Sequence, residues 1–151
     1  MLKKILLLSI IIFNLSHCGF TPLYKTNDLN FKITLENFEG DQDLNNYIRI
    51  NLERYSKQES GKNFKIQTNS KYTKNITAKD SKGTATDFEL IANVSFNIFF
   101  EDKNYLYSYQ ESFRTQKNSN FYKDREYEQN IKKNLADLIS KKILIQLLTV
   151  K

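Results

Sequence analysis

Thr86-Asp87-Phe88-Glu89-Leu90-Ile91-Ala92-Asn93-Val94-Ser95-Phe96-Asn97-Ile98-Phe99-Phe100 decides how this chain folds. Thr86, Phe88, Leu90, Ala92, Val94, Phe96, Ile98 and Phe100 occupy alternate positions, and Asp87, Glu89, Asn93, Ser95 and Asn97 lie between them. This alternation predicts a half-buried β-strand, because successive side chains point to opposite faces. Glu101-Asp102-Lys103-Asn104 then reads as a hairpin loop. Beyond it Tyr105, Tyr107, Tyr109 and Phe113 alternate with Ser108, Gln110 and Ser112. Two such runs joined by a short polar loop predict a long antiparallel hairpin. A strand of about 15 residues spans about 50 Å. That exceeds what a small core needs, so the distal ends are expected to project. Aromatic faces stack on sugars, but at alternate strand positions Tyr105, Tyr107 and Tyr109 read as core beneath a helix.

Working toward the N-terminus, Asp80-Ser81-Lys82-Gly83 is a turn cluster. Phe64-Lys65-Ile66-Gln67-Thr68 alternates again, with weaker alternation through Tyr72, Lys74 and Ile76, which predicts a strand with a bulge near Asn69-Ser70. Before it, Leu44, Tyr47, Ile48, Leu52 and Tyr55 fall at helical spacing, with Asp41 as N-cap and Gly61 as C-cap. A helix is therefore expected over 41–60. Phe31-Lys32-Ile33-Thr34-Leu35-Glu36 alternates as a first strand, punctuated by Gly40. Toward the C-terminus, 118–122 reads as linker or early helix. From Asp124 the stripe Tyr127, Ile131, Leu135, Leu138, Ile139, Ile143 and Leu147 predicts a helix to about Leu148. Asp124, Glu126 and Glu128 at its start, and Lys141 and Lys142 in its later half, suit the helix dipole.

The order is thus β-α-β-β-β-α. A strand–helix–strand unit makes a parallel crossover, and strands joined by short loops are antiparallel neighbours. Each helix has one apolar stripe, so both can cover the same sheet face. The expected fold is an α/β (α+β) two-layer sandwich, a four-stranded mixed sheet with two helices on one face. Residues 31–151 form a single domain in this reading.

The start of the chain reads differently. Met1-Leu2-Lys3-Lys4 is a short positive region, and Ile5 to Phe13 is apolar except for Ser9. The run is shorter than the about 20 residues a membrane helix needs. It suits a secretory signal over residues 1–17. Leu15-Ser16-His17-Cys18 resembles a bacterial lipobox, with cleavage between His17 and Cys18 and acylation of Cys18, the chain's one cysteine. His17 departs from the Gly, Ala or Ser usual at that position. Residues 18–30 would be a lipidated tether. Gly19, rather than an aspartate, directs the expectation to the outer membrane.

Composition narrows the function classes. The formal charge is +6, and cleavage would remove Lys3 and Lys4. The remaining basic residues are scattered, so a nucleic-acid partner is not expected. Cleavage would also remove His17, the sole histidine. Thiol–histidine, serine–histidine–aspartate and histidine-ligated metal sites are then excluded. Glu36 with Glu39, and Asp124 with Glu126 and Glu128, lie at a turn and a helix start, where capping accounts for them. The glycines are too far apart for a phosphate-cradling loop. Neither an enzyme nor a cofactor is expected.

Cys18-Gly19-Phe20-Thr21-Pro22-Leu23-Tyr24 resembles the mature start of the lipopolysaccharide-assembly lipoprotein family, LptE. That family shares the element order read above. The resemblance implies an outer-membrane lipoprotein that plugs the lipopolysaccharide-export barrel (LptD-like), assists its assembly and contacts lipopolysaccharide during delivery to the cell surface. It implies a lipid anchor in the outer membrane, on the periplasmic or barrel-lumen side. For lipopolysaccharide contact the candidates are Arg114 and Lys117 near the end of the fourth strand, and Lys103 at the hairpin tip. The alternatives are an accessory lipoprotein of the general barrel-assembly machinery and a free-standing periplasmic binding module.

Overall fold

The computed structural model describes residues 31–57, 61–117 and 120–150. The elements are β1 (Phe31–Gly40), α1 (Gln42–Glu53), β2 (Lys62–Lys79), β3 (Ala85–Phe100), β4 (Lys103–Gln116) and α2 (Phe121–Thr149). The sheet order is β1-β2-β3-β4. β1 runs parallel to β2, and the other pairs are antiparallel. This is the mixed four-stranded sheet with two helices that the sequence predicts.

The alternation in β3 sets the layers. Leu90, Ala92, Val94, Phe96 and Ile98 are buried, together with Phe64 and Ile66 of β2 and Phe31 and Ile33 of β1. Leu44, Ile48 and Leu52 of α1 and Leu135, Ala136, Ile139, Ile143 and Leu147 of α2 close the core from above. Phe64 joins three strands through rings, 5.8 Å from Phe31 and 4.8 Å from Phe100 between centroids. At the far end of α2, the Lys62 ammonium donates to the Val150 carbonyl and lies 5.5 Å from the Phe100 ring centroid. That contact satisfies one of the carbonyls a helix end leaves open.

The structure corrects several boundaries. The first helix stops at Glu53 rather than near residue 60. Tyr55 leaves the helical path because its carbonyl accepts from the Ile33 amide at 3.2 Å and its ring lies 5.9 Å from Phe31. Gly61 therefore does not cap that helix, although its φ is +108°. No bulge falls at Asn69-Ser70. The register shifts instead between Leu35 and Asn37 in β1, and between Ile76 and Lys79 in β2. The last helix starts at Phe121, with Asn120 as N-cap accepting from the Tyr122 and Lys123 amides. Two residues of its predicted stripe, Tyr127 and Leu138, are each 46% exposed. The buried arc turns instead through Lys132, Ala136 and Ser140.

Gly40 and Asp41 fix the crossover. Gly40 has φ +96°, and a Cβ there would stand 1.8 Å from the Ser70 carbonyl oxygen. Only glycine permits that approach. Asp41 follows as N-cap, its carboxylate accepting from the Leu44 amide at 2.8 Å.

Candidate interaction surface

The sheet has two unlike faces. Its helix-covered face carries the core. Its other face presents Asp87, Glu89, Ile91, Asn93, Ser95, Asn97 and Phe99 from β3, each half-buried by its strand neighbours. Opposite them in β4 stand Gln116, Arg114, Ser112, Gln110, Ser108, Leu106 and Asn104. β2 adds Lys65, Gln67, Asn69 and Lys71, all but Gln67 exposed. The polar face predicted from alternation is therefore continuous across the sheet.

Its side chains bind one another across strands. The Ser95 and Ser108 hydroxyls are 2.9 Å apart. The Asn97 amide donates to Gln67 at 3.5 Å, and Gln67 donates to Glu36 at 3.2 Å. Lys65 stands 3.9 Å from Glu36, and Thr34 donates to Asn63 at 2.9 Å. Amides and hydroxyls dominate the middle, where Lys71 beside Asn93 is the charged exception, and the other charges lie toward the rim. Such a surface offers many neutral hydrogen-bonding groups whose desolvation costs less than that of charges. Leu106, 73% exposed, is its apolar exception on β4.

Of the carboxylates singled out in the sequence, Glu36, Glu39, Asp124 and Glu128 have polar partners. Glu39 accepts from Asn37 at 2.9 Å. Glu128 accepts from Tyr72 at 3.2 Å and from Lys74 at 2.6 Å, and Asp124 lies 3.9 Å from Lys74. Burial, then the neighbouring charges of Glu128 and Asp41, push the Tyr72 hydroxyl well above the usual phenol range. Among the described residues no three His, Cys, Asp or Glu side chains stand together as metal ligands. No described helix is long and apolar enough to cross a membrane.

The candidate lipopolysaccharide-binding residues separate. Arg114 is on the open sheet face, its side chain 80% exposed and 3.5 Å from Glu89. Lys117 follows β4 at the same end, its amide donating to the Thr86 carbonyl at 2.7 Å. Lys103 is the first residue of β4 rather than the hairpin tip, and faces Phe100 across the ladder. The tip itself is Glu101-Asp102, with Glu101 at φ +53°. Along the strand Lys103 is about 36 Å from Arg114 and about 45 Å from Lys117. Arg114 and Lys117 lie three residues apart at one end of β4, and Lys103 lies at the other.

Sequence reasoning missed Lys132. It is only 8% exposed, yet its ammonium lies 3.2 Å from Asp41 and 3.3 Å from Asp43, over the Tyr72 ring at 4.2 Å. It ties α2 to the start of α1. Its only trace in the sequence is a cation at a position whose helical neighbours, Ala136 and Ile139, are buried.

His17, Cys18, the signal segment 1–17 and the tether 18–30 lie outside the described residues.

No family model and no curated protein matches the sequence. Solved structures do match the fold. The rare lipoprotein B of Shewanella oneidensis aligns with a TM-score of 0.58 at 12% identity, over 77% of this chain and 95% of its own. A Caulobacter crescentus CB15 protein described as a lipoprotein aligns at 0.50 and 16% identity, over 80% and 88%. The uncharacterized lipoprotein B of Nitrosomonas europaea aligns at 0.52 and 12% identity, over 82% and 89%. At these identities the likeness is one of fold: this chain has an architecture also found in several bacterial lipoproteins.

Proposed function

We propose that this chain is a lipid-anchored protein of the Gram-negative outer membrane that plugs the lipopolysaccharide-export barrel, assists its assembly and contacts lipopolysaccharide there. The observation that carries the reading is the continuous amide- and hydroxyl-rich sheet face opposite the helices. The lumen of an outer-membrane barrel is polar, and a plug must hydrogen-bond to it without burying unpaired charge. The Cys18–Tyr24 tether and a fold found among lipoproteins support the same reading. Its role is binding rather than catalysis, since cleavage before Cys18 removes the histidine. Arg114 and Lys117, both at one end of β4, are the residues proposed to meet lipopolysaccharide phosphate, and Lys103 is set aside by its distance.

Purification of the full chain from its native envelope, with mass spectrometry of what accompanies it, tests this. The export barrel should co-purify, and the mature chain should begin at an acylated Cys18. Co-purification of the general barrel-assembly machinery, or a monomer without any barrel, would replace this reading with the accessory or free-standing one.

A further inference from the structure

β4 is the open edge of the sheet, and it is built unlike the other edge. β1 is broken by a register shift between Leu35 and Asn37. β4 pairs with β3 without a shift from Lys103 opposite Phe100 to Gln116 opposite Asp87. It contains no proline, because the chain's one proline is Pro22. Native edges are normally blunted by bulges, prolines or inward charges. The inward charge here, Glu111, is already neutralised by Lys142 of α2.

That ion pair also orients α2. Ser140, on the opposite flank, accepts a hydrogen bond from Asn51 of α1 at 3.4 Å. Leu138 and Ile145 stand one turn to either side of Lys142 on the flank beside β4, and each is 46% exposed. Below them Tyr105, Tyr107 and Tyr109 are half-buried on the helix side of β4. Every second residue of this 14-residue strand thus turns its backbone donor and acceptor to the open edge, along a groove with an aromatic floor and an aliphatic wall. Lys117, at one end, has no ion pair among the described residues, whereas Glu101 and Asp102 stand beside Lys103 at the other.

We propose that this groove takes up an extended strand of a partner polypeptide, added to the sheet along β4. The hydrogen-bonding row asks for a strand, and the tyrosine floor and aliphatic wall ask for apolar side chains at alternate positions. The unpaired Lys117 asks for an acidic residue at the end of that strand which meets it. The proposal does not depend on which envelope protein is the partner, so it can stand if the export reading falls.

The test uses the full chain in its native cells, with a photo-crosslinking residue placed in turn at Leu106, Ser108, Gln110 and Ser112. Lys32 and Glu39 on β1 serve as controls. The crosslinks from β4 should map to partner positions that step two residues at a time, the signature of a strand ladder. The mapped segment should be apolar at alternate positions with an acid near its Lys117 end. Leu138→Glu with Ile145→Glu should cut the adducts roughly tenfold, about the loss of 1.4 kcal/mol in binding, while the melting temperature stays unchanged. Crosslinks without a two-residue step, an equal ladder from β1, adducts only to a second copy, or no adducts at all would overturn the proposal.

Discussion

Gly40 shows how one residue can hold a topology. Its φ of +96° and its approach to Ser70 let the chain turn from β1 into α1 while the Asp41 amide still reaches the Ser70 carbonyl at 3.1 Å. Gly40→Ala should cost at least the about 1–3 kcal/mol of a strained backbone, with more for the displaced strand, read as a loss in urea midpoint. The glycine is visible in sequence as punctuation. Its contact with Ser70 is not, because the two residues meet only through the fold. Tyr72 carries a pH dependence. Its hydroxyl is raised by burial first and then by Glu128 and Asp41. Below pH about 10 the folded and unfolded chains both keep this proton, and its contribution is fully present. Above that the unfolded chain releases it first, so stability falls as pH rises. The drop in melting temperature from neutral to strongly alkaline pH should be smaller in Tyr72→Phe than in the parent chain. An equal drop would place the alkaline sensitivity elsewhere.

Elements with one clean period were legible in sequence, and those governed by distant contacts were not. β3 follows its alternation without exception from Leu90 to Phe100, because each inward side chain meets either α1, α2 or a neighbouring strand. Replacing Phe96 with Ala should therefore cost about 3–5 kcal/mol, as for other buried aromatics. Ser95→Ala, next to it but on the open face, should stay within about 0.5 kcal/mol. Equal losses in thermal or urea unfolding would contradict the register. The end of α1 was misread because Tyr55 has helical spacing yet its carbonyl is taken by β1. The stripe on α2 was drawn too wide, through Tyr127 and Leu138, because no residue type distinguishes a core leucine from one on a helix flank. At the open end of the β3–β4 hairpin burial fades, with Phe88 half-buried and Phe113 43% exposed, and the paired segment Lys74–Lys79 of β2 is exposed throughout.

At the scale of the whole molecule, the described core begins at Phe31, buried to 2%. A chain without residues 1–18 should thus fold with nearly the same melting temperature as the full protein. It should still bind its partner, since the lipid supplies location and the sheet supplies contact. A lipopolysaccharide contact through Arg114 and Lys117 should weaken with added salt and on replacement of either residue, because phosphate attraction is screened. The two-layer fold was readable because the element order leaves few topologies. The interaction surface was readable only in part: alternation marked the polar face, while the unbroken β4 edge and the flank of α2 beside it appear only in three dimensions. Depletion of the protein from its native cells, with folded export barrel and surface lipopolysaccharide measured together, tests the central claim most directly. Both should fall in step with the protein, whereas a normal barrel with normal surface lipopolysaccharide after depletion would contradict the account.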